Sequence, residues 1–347
     1  MYDLSRPCRP VALLALAALL SACSAARYGA GLVPTPDTAA AAPGAAYATQ
    51  PDTAPLTYTV SYHFNEITGF SLTANGNATP SVVVSGSNTK LNQPDALAID
   101  RSSGTLFVAN GAYQDRRILI FPKGSSGNVT PKVLGGSNVP VQNTEGLAVD
   151  GSGRLYVSDY TAKAIYVFAA GASGNTAPIR TIVGTATGLV QPFGMAFDSN
   201  GHLYVAQGHD STAPIEEFAA NANGNVAPIA TIGGSHTKLL GIFNLVLDKH
   251  DRIIVPTAGS IEVFAAGAHG NVSPVATIKG SNTTIADVTT VGTDSNGSIY
   301  GTNAINISQL KFSLIVFDSN ANGNVAPARI LSGSHTRIVD NFYPTTY

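Results

Sequence analysis

Asp95 and Glu145 stand fifty residues apart at the same place in two copies of a repeating pattern. Followed along the chain, that place reads Asp95, Glu145, Phe193, Phe243, Thr289 and Phe342. A second recurring place reads Ser61, Asn110, Asp159, Gln207, Thr257 and Asn303. Carboxylate and amide oxygens of this kind can hold a hard divalent cation such as Ca²⁺. Asp95 and Glu145 would be its first ligands, with Asn110 and Asp159 beside them. The same four residues, faced by Phe193, Phe243 and Phe342, would also suit a small polar ligand with an apolar side. Both uses remain open on sequence grounds; the first would need Ca²⁺ as its cofactor, and the second needs none.

Other chemistries lack their residues. The chain holds no Gly-x-Ser-x-Gly elbow, and its two cysteines, Cys8 and Cys23, sit near the start. Glycine pairs lie between strand-like runs with no helix following, which argues against a phosphate-cradling loop. The seven histidines are dispersed over the pattern. His202, His250 and His269 fall in turns on one side, His63 and His335 in one repeat, and His209 and His236 three repeats away. They read as surface residues rather than a shared zinc site. Lys and Arg number 19 against 21 acids and form no run, so a nucleic-acid footprint is missing.

The elements that must position these residues follow from the repeat. A Gly-Asn pair with Pro three places after the Asn recurs at Asn77, Asn128, Asn175, Asn225, Asn271 and Asn324. Seven residues before each Asn stands a Phe: Phe70, Phe121, Phe168, Phe218, Phe264 and Phe317. A further glycine opens each following loop, at Gly86, Gly136, Gly184, Gly234, Gly280 and Gly333. Each unit holds four short runs rich in β-branched and aromatic residues, bounded by Gly, Asn or Ser turns. Gly146–Asp150, Leu155–Asp159, Ala164–Phe168 and Pro178–Val183 are one such set. One small four-stranded sheet cannot bury both faces, whereas six stacked around an axis can. The fold expected is all-β, a six-bladed β-propeller over residues 55–347. The Phe column, and a second one of Tyr58, Phe107, Tyr156, Tyr204, Ile254 and Tyr300, should fill the gaps between blades.

The chain ends predict how the ring closes. Gly333 to Tyr347 aligns without gaps on Gly234 to Asp248, supplying a loop and one first strand. Thr57 to Gly76 aligns without gaps on Leu155 to Gly174, supplying second and third strands. One blade should therefore take its innermost strand from the C-terminus and its outer three from the N-terminus, a 1+3 closure. Asp100, Asp150, Asp198, Asp248 and Asp294 end the other first strands and read as turn-formers. On this topology the loops into the first strands share one face, and the Asp95 column sits at the mouth of the central channel.

Blocks such as Glu145 to Asp159 resemble NHL-type propeller repeats, and the absence of Trp separates the chain from WD repeats. The resemblance implies the fold and hardly constrains function, because NHL-like rings bind, signal and catalyse. The peptidylglycine lyase propellers carry a three-histidine zinc site that is not matched. The gluconolactonase propellers imply a metal-assisted lactonase or lyase centred on Asp95 and Glu145. Against it stands a binding module that takes a small ligand or a protein.

The first 22 residues read as a signal peptide: Arg6 and Arg9 precede an apolar run from Val11 to Leu20, too short to span a bilayer. Leu20-Ser21-Ala22-Cys23 resembles a bacterial lipobox, which implies lipidation, palmitate included, at Cys23. Ser24, in place of Asp, implies the outer membrane in a Gram-negative cell. Residues 23–54, rich in Ala, Pro, Thr and Gly, read as a disordered tether with a reach of roughly 30 Å. The expected protein is an envelope lipoprotein whose membrane partner is reached through its lipid.

Overall fold

The computed structural model describes residues 55–111, 116–208, 214–339 and 341–346, with the side chains of Asn341 and Phe342 outside that description. The expected leader, Cys23 and tether lie outside the described residues.

Six four-stranded antiparallel sheets form a ring. Blade 1 is built from Pro94–Asp100, Thr105–Asn110, Arg117–Phe121 and Lys132–Leu134. Blades 2 to 5 repeat the plan from Thr144 to Val183, Pro192 to Ile232, Val246 to Ile278 and Val288 to Leu331. The closing blade takes Asn341–Thr346 as its innermost strand, followed by Leu56–Ser61, Glu66–Ser71 and Val82–Val84. Its register pairs Thr57 with Thr346 and Ser61 with Asn341, the 1+3 closure expected from the two gapless alignments. Arg337 adds an ion pair to Glu66, which is 2% exposed, so the two chain ends are also joined by charge.

The cores lie between blades. Each repeat Phe is buried to 1% exposure or less and packs on the blade before it. Phe121 joins the closing-blade cluster of Val60, Ile67 and Val84, and Phe168 joins the blade 1 cluster of Phe107, Ile118 and Leu134. Phe218, Phe264, Phe317 and Phe70 repeat the arrangement around the ring. The second aromatic column faces the opposite way: Tyr156 packs with blade 3 residues and Tyr204 with blade 4 residues. Burying one such ring contributes about 1.5–3 kcal/mol.

The Gly-Asn pair and the loop-opening glycine prove to be two halves of one latch. Asn128 Oδ1 accepts from the backbone N–H of Asn88 at 2.7 Å, in the loop that leaves the preceding blade. Asn175, Asn225, Asn271, Asn324 and Asn77 make the equivalent bond to Asn138, Ala186, His236, Asn282 and His335. The glycine opening each of those loops has φ between 114° and 131°, and a Cβ there would lie 2.4–2.6 Å from the Asn side chain. Only glycine meets both demands. The five Asp residues bind turn amides as expected; Asp150 Oδ1, for instance, accepts from Ser152 and Arg154 N–H.

Candidate functional site

In blades 1, 2, 3 and 5 the loop entering the first strand is held from behind by a polar residue at or near the end of the second strand. Asn110 Oδ1 accepts from Asn92 N–H at 2.6 Å, and its amide donates to the Lys90 carbonyl at 2.9 Å. Asp159 accepts from Gln142 N–H at 2.6 Å and from Ala162 N–H at 2.9 Å, and is fully buried. Gln207 and Asn303 do the same in blades 3 and 5. Asn110 and Asp159 are thereby brought to the site, but as the residues that position its loops.

Those loops present Asp95 and Glu145, both partly buried. Both of these first strands carry a register shift at this point, between Pro94 and Ala96 in blade 1 and between Thr144 and Gly146 in blade 2. Such a bulge re-aims side chains. Glu145 Oε1 accepts from Asn143 Nδ2 at 3.0 Å. Burial pushes the Glu145 carboxyl up to about 8, the Asn143 hydrogen bond opposing and the Asp159 charge reinforcing the shift. Burial, with Glu145 nearby, holds Asp95 well above the usual carboxylate range. Near neutral pH Glu145 therefore largely retains its proton.

Tyr343 completes this side of the site. Its backbone N–H donates to Thr290 Oγ1 of blade 5 at 2.9 Å, while its hydroxyl donates to the Glu145 carbonyl of blade 2. The side chain thus reaches across the channel from the closing blade. Its φ of 54° and the register shift between Tyr58 and Val60 turn it inward. Burial, and the acids Glu145 and Asp95, raise its phenol well above the ordinary value. Gly292 makes room for this path, since a Cβ there would lie 1.9 Å from the Pro344 carbonyl oxygen.

The aromatic side gathers around blades 3 and 4. Phe193 meets Phe243 edge-on at 5.1 Å and Tyr160 at 5.8 Å. Phe193 is 5% exposed and seated in the seam between blades 3 and 4, whereas Phe243 is half-buried. Thr289 is buried against Thr302 at 3.0 Å. Phe342 pairs with Val60 through the backbone, and its side chain lies outside the described residues.

A cavity of about 540 Å³ lies farther along the channel, toward the opposite face. Leu97, Leu147, Met195, Leu245 and Tyr343 line it, together with the turn residues Asp100 and Asp150. Asp95 and Glu145 do not line it. Tyr343 touches both regions.

Sequence reasoning missed several members of the site. Two places before the Asp95 column, the chain reads Gln93, Asn143, Gln191, Gly241 and Asp287. Asn143 Oδ1, Gln191 Oε1 and Asp287 Oδ2 are buried without a hydrogen-bond partner, as is Asp95 Oδ1. Among the described residues the remaining buried orphan is Thr57 Oγ1. The signal was a column of polar residues just before an apolar strand. Tyr343 had a signal too: the equivalent places hold Ala96, Gly146, Gly194, Asn244 and Thr290, all smaller.

Comparison with known proteins agrees on architecture. No protein-family description and no curated protein matches the sequence. Solved structures do match in shape. A protein of unknown function from Bacteroides caccae has a TM-score of 0.57 at 9% identity, over 85% of this chain and 98% of that one. A chain of a nidogen/laminin complex gives 0.57 at 16% identity, over 84% and 97%. A putative 6-phosphogluconolactonase from Bacteroides uniformis gives 0.54 at 13% identity, over 81% and 84%. The likeness is one of fold.

Proposed function

We propose that this chain is a binding module of the NHL-like type that takes a small, donor-rich ligand at the channel mouth. The observation that carries this reading is the recurrence of unpartnered buried oxygens where the chain enters the first strands. Asp95, Asn143, Gln191 and Asp287 supply them, from blades 1, 2, 3 and 5. An acceptor left without a donor in a buried place costs about 1–3 kcal/mol. A ligand bearing hydroxyl, amine or amide hydrogens would remove that cost at several points at once. The half-buried face of Phe243 offers it an apolar contact. Amino sugars and other polyhydroxylated amines fit this chemistry.

The metal-assisted lactonase or lyase reading has less support. Ca²⁺ takes six to eight oxygens, but those of Asn110 and Asp159 already accept loop N–H groups. Asp95 and Glu145 alone fall short, and burial disfavours the charged form of both carboxyls. The set does not fit the ion. The lipobox-like segment supports a place in the cell envelope, with the propeller tethered to a membrane, in Gram-negative cells the outer one, through lipid on Cys23. Cys23→Ser should then move the protein from the membrane to the soluble fraction and abolish palmitate labelling. Labelling that survives the change would sink the anchor.

A thermal-shift and calorimetric screen of sugars, amino sugars, amines and Ca²⁺ tests the mouth. A binder should lose at least tenfold in affinity with Asp95→Ala or Gln191→Ala. Stabilisation by Ca²⁺ that disappears with Asp95→Ala would favour the enzyme reading instead. A ligand indifferent to both substitutions would remove the mouth from consideration.

A further inference from the structure

The face opposite the mouth carries a second, separate arrangement, and it occurs in blade 3. Asp198 follows the first strand, Pro192–Phe197, His202 precedes the second, Leu203–Gln207, and Glu217 lies on the third, Ile215–Phe218. Among the described residues these three place one ligand atom each within 4.8 Å of one another. His202 Nδ1 lies 3.1 Å from Asp198 Oδ2 and 3.0 Å from Glu217 Oε1. A neutral imidazole nitrogen carries at most one hydrogen, so two carboxylates aimed at the same nitrogen compete for it.

The sibling blades sharpen the point. At the place of His202, blades 2 and 4 carry Arg154 and Arg252, which neutralise Asp150 and Asp248 at 2.6 Å. At the place of Glu217, blades 1, 2, 4 and 5 carry Ile120, Val167, Val263 and Val316. Blade 3 has therefore given up a permanent cation and gained a buried acid at one spot. Glu217 is 8% exposed, so the added negative charge is not simply left to solvent.

We infer that Asp198, His202 and Glu217 bind a divalent transition-metal ion, with Zn²⁺ the best match. Zinc takes imidazole nitrogen and carboxylate oxygen at about 2.0–2.2 Å in a tetrahedron, which sets neighbouring ligand atoms roughly 3.3 Å apart. Both His202 separations need to open by only a few tenths of an ångström. The remaining atoms are already oriented. Asp198 Oδ1 accepts from Asn200 N–H at 2.9 Å and His202 N–H at 2.7 Å, leaving Oδ2 for the ion. Buried Tyr204 hydrogen-bonds to Glu217. Outer partners of this sort fix metal ligands in place. The His202 side chain is 32% exposed, so an ion can reach the site, and water can take the fourth position.

Zn²⁺ alone, titrated calorimetrically into the full chain after chelator treatment, tests this. One ion per chain should bind, with Ca²⁺ failing to compete. His202→Arg restores the sibling ion pair and should keep the melting temperature while weakening Zn²⁺ at least tenfold. Glu217→Val should do the same, and Tyr204→Phe should weaken binding by roughly 10- to 100-fold. Zinc uptake in His202→Arg equal to that of the parent chain would overturn the proposal. So would a parent chain that takes up no Zn²⁺, which would leave the three residues as a histidine bridging two acids.

Discussion

The seams between blades and the mouth of the channel are built from the same repeat, yet they treat polar atoms in opposite ways. At every seam an Asn carbonyl oxygen meets a loop N–H at 2.7 Å, beside a glycine that leaves room for it. At the mouth, four blades leave an oxygen buried and unpartnered. Residues recur at the seams because six identical joints need one solution. They diverge at the mouth because nothing in the ring requires them to agree. Regularity in this molecule marks stability, and departure from it marks chemistry.

The sharpest way to break the seam side of that comparison is to reopen the ring. Removing Asn341–Tyr347 strips the innermost strand from the closing blade, and with it the Tyr343 bonds to blades 2 and 5. Domains are stable by only about 5–15 kcal/mol, and an exposed strand edge invites association. The truncated chain should lose its single cooperative melting transition and aggregate. A truncated chain that melts as the intact one does would refute the closure.

A single latch should cost less. Gly280 has φ 131° and ψ 175°, and its Cβ would sit 2.4 Å from Asn324 Oδ1. Gly280→Ala combines a conformation that costs about 1–3 kcal/mol with a steric clash. Asn324→Ala removes one exposed hydrogen bond, about 0.5–1.5 kcal/mol. The double variant should be less destabilised than the sum of the two, since the clashing atom has gone. Denaturant unfolding of all four proteins measures that coupling; simple additivity would mean the two residues do not act as one device.

Much of the ring was legible from sequence, and for a stated reason. Phe70 to Phe317 and the six glycines face the same environment six times, so their spacing alone exposes the joint. The gapless match of Gly333–Tyr347 to Gly234–Asp248 likewise revealed the closing strand. What stayed hidden depends on contacts between blades rather than within one. Tyr343 turns into the channel because of a bulge opposite Val60 and the space above Gly292, and neither is encoded in the local pattern. Alignment pointed to its neighbour Phe342 for the same reason. The buried orphans at Asn143, Gln191 and Asp287 were invisible because bonding state is a property of packing. His202 was read as a surface residue because only histidines were compared with it; its partners are carboxylates.

The mouth side of the comparison is probed by pH. Glu145 titrates at about 8 in the folded chain against an ordinary value of 4.5, chiefly because of burial, with Asp159 adding and Asn143 opposing. An acid with a raised folded value binds more protons folded than unfolded between those two limits. Stability should therefore be fullest below about pH 4.5 and fall as pH rises toward 8. Glu145→Gln keeps the hydrogen-bonding shape without the titration. Its melting temperature should decline less steeply across that window, while Asp95, which is also held well above its usual range, leaves a residual slope in both proteins. Parallel pH profiles for the two chains would mean that Glu145 is ionised and solvated in the fold. In that case the mouth would be an open, water-filled rim, and its contrast with the seams would disappear.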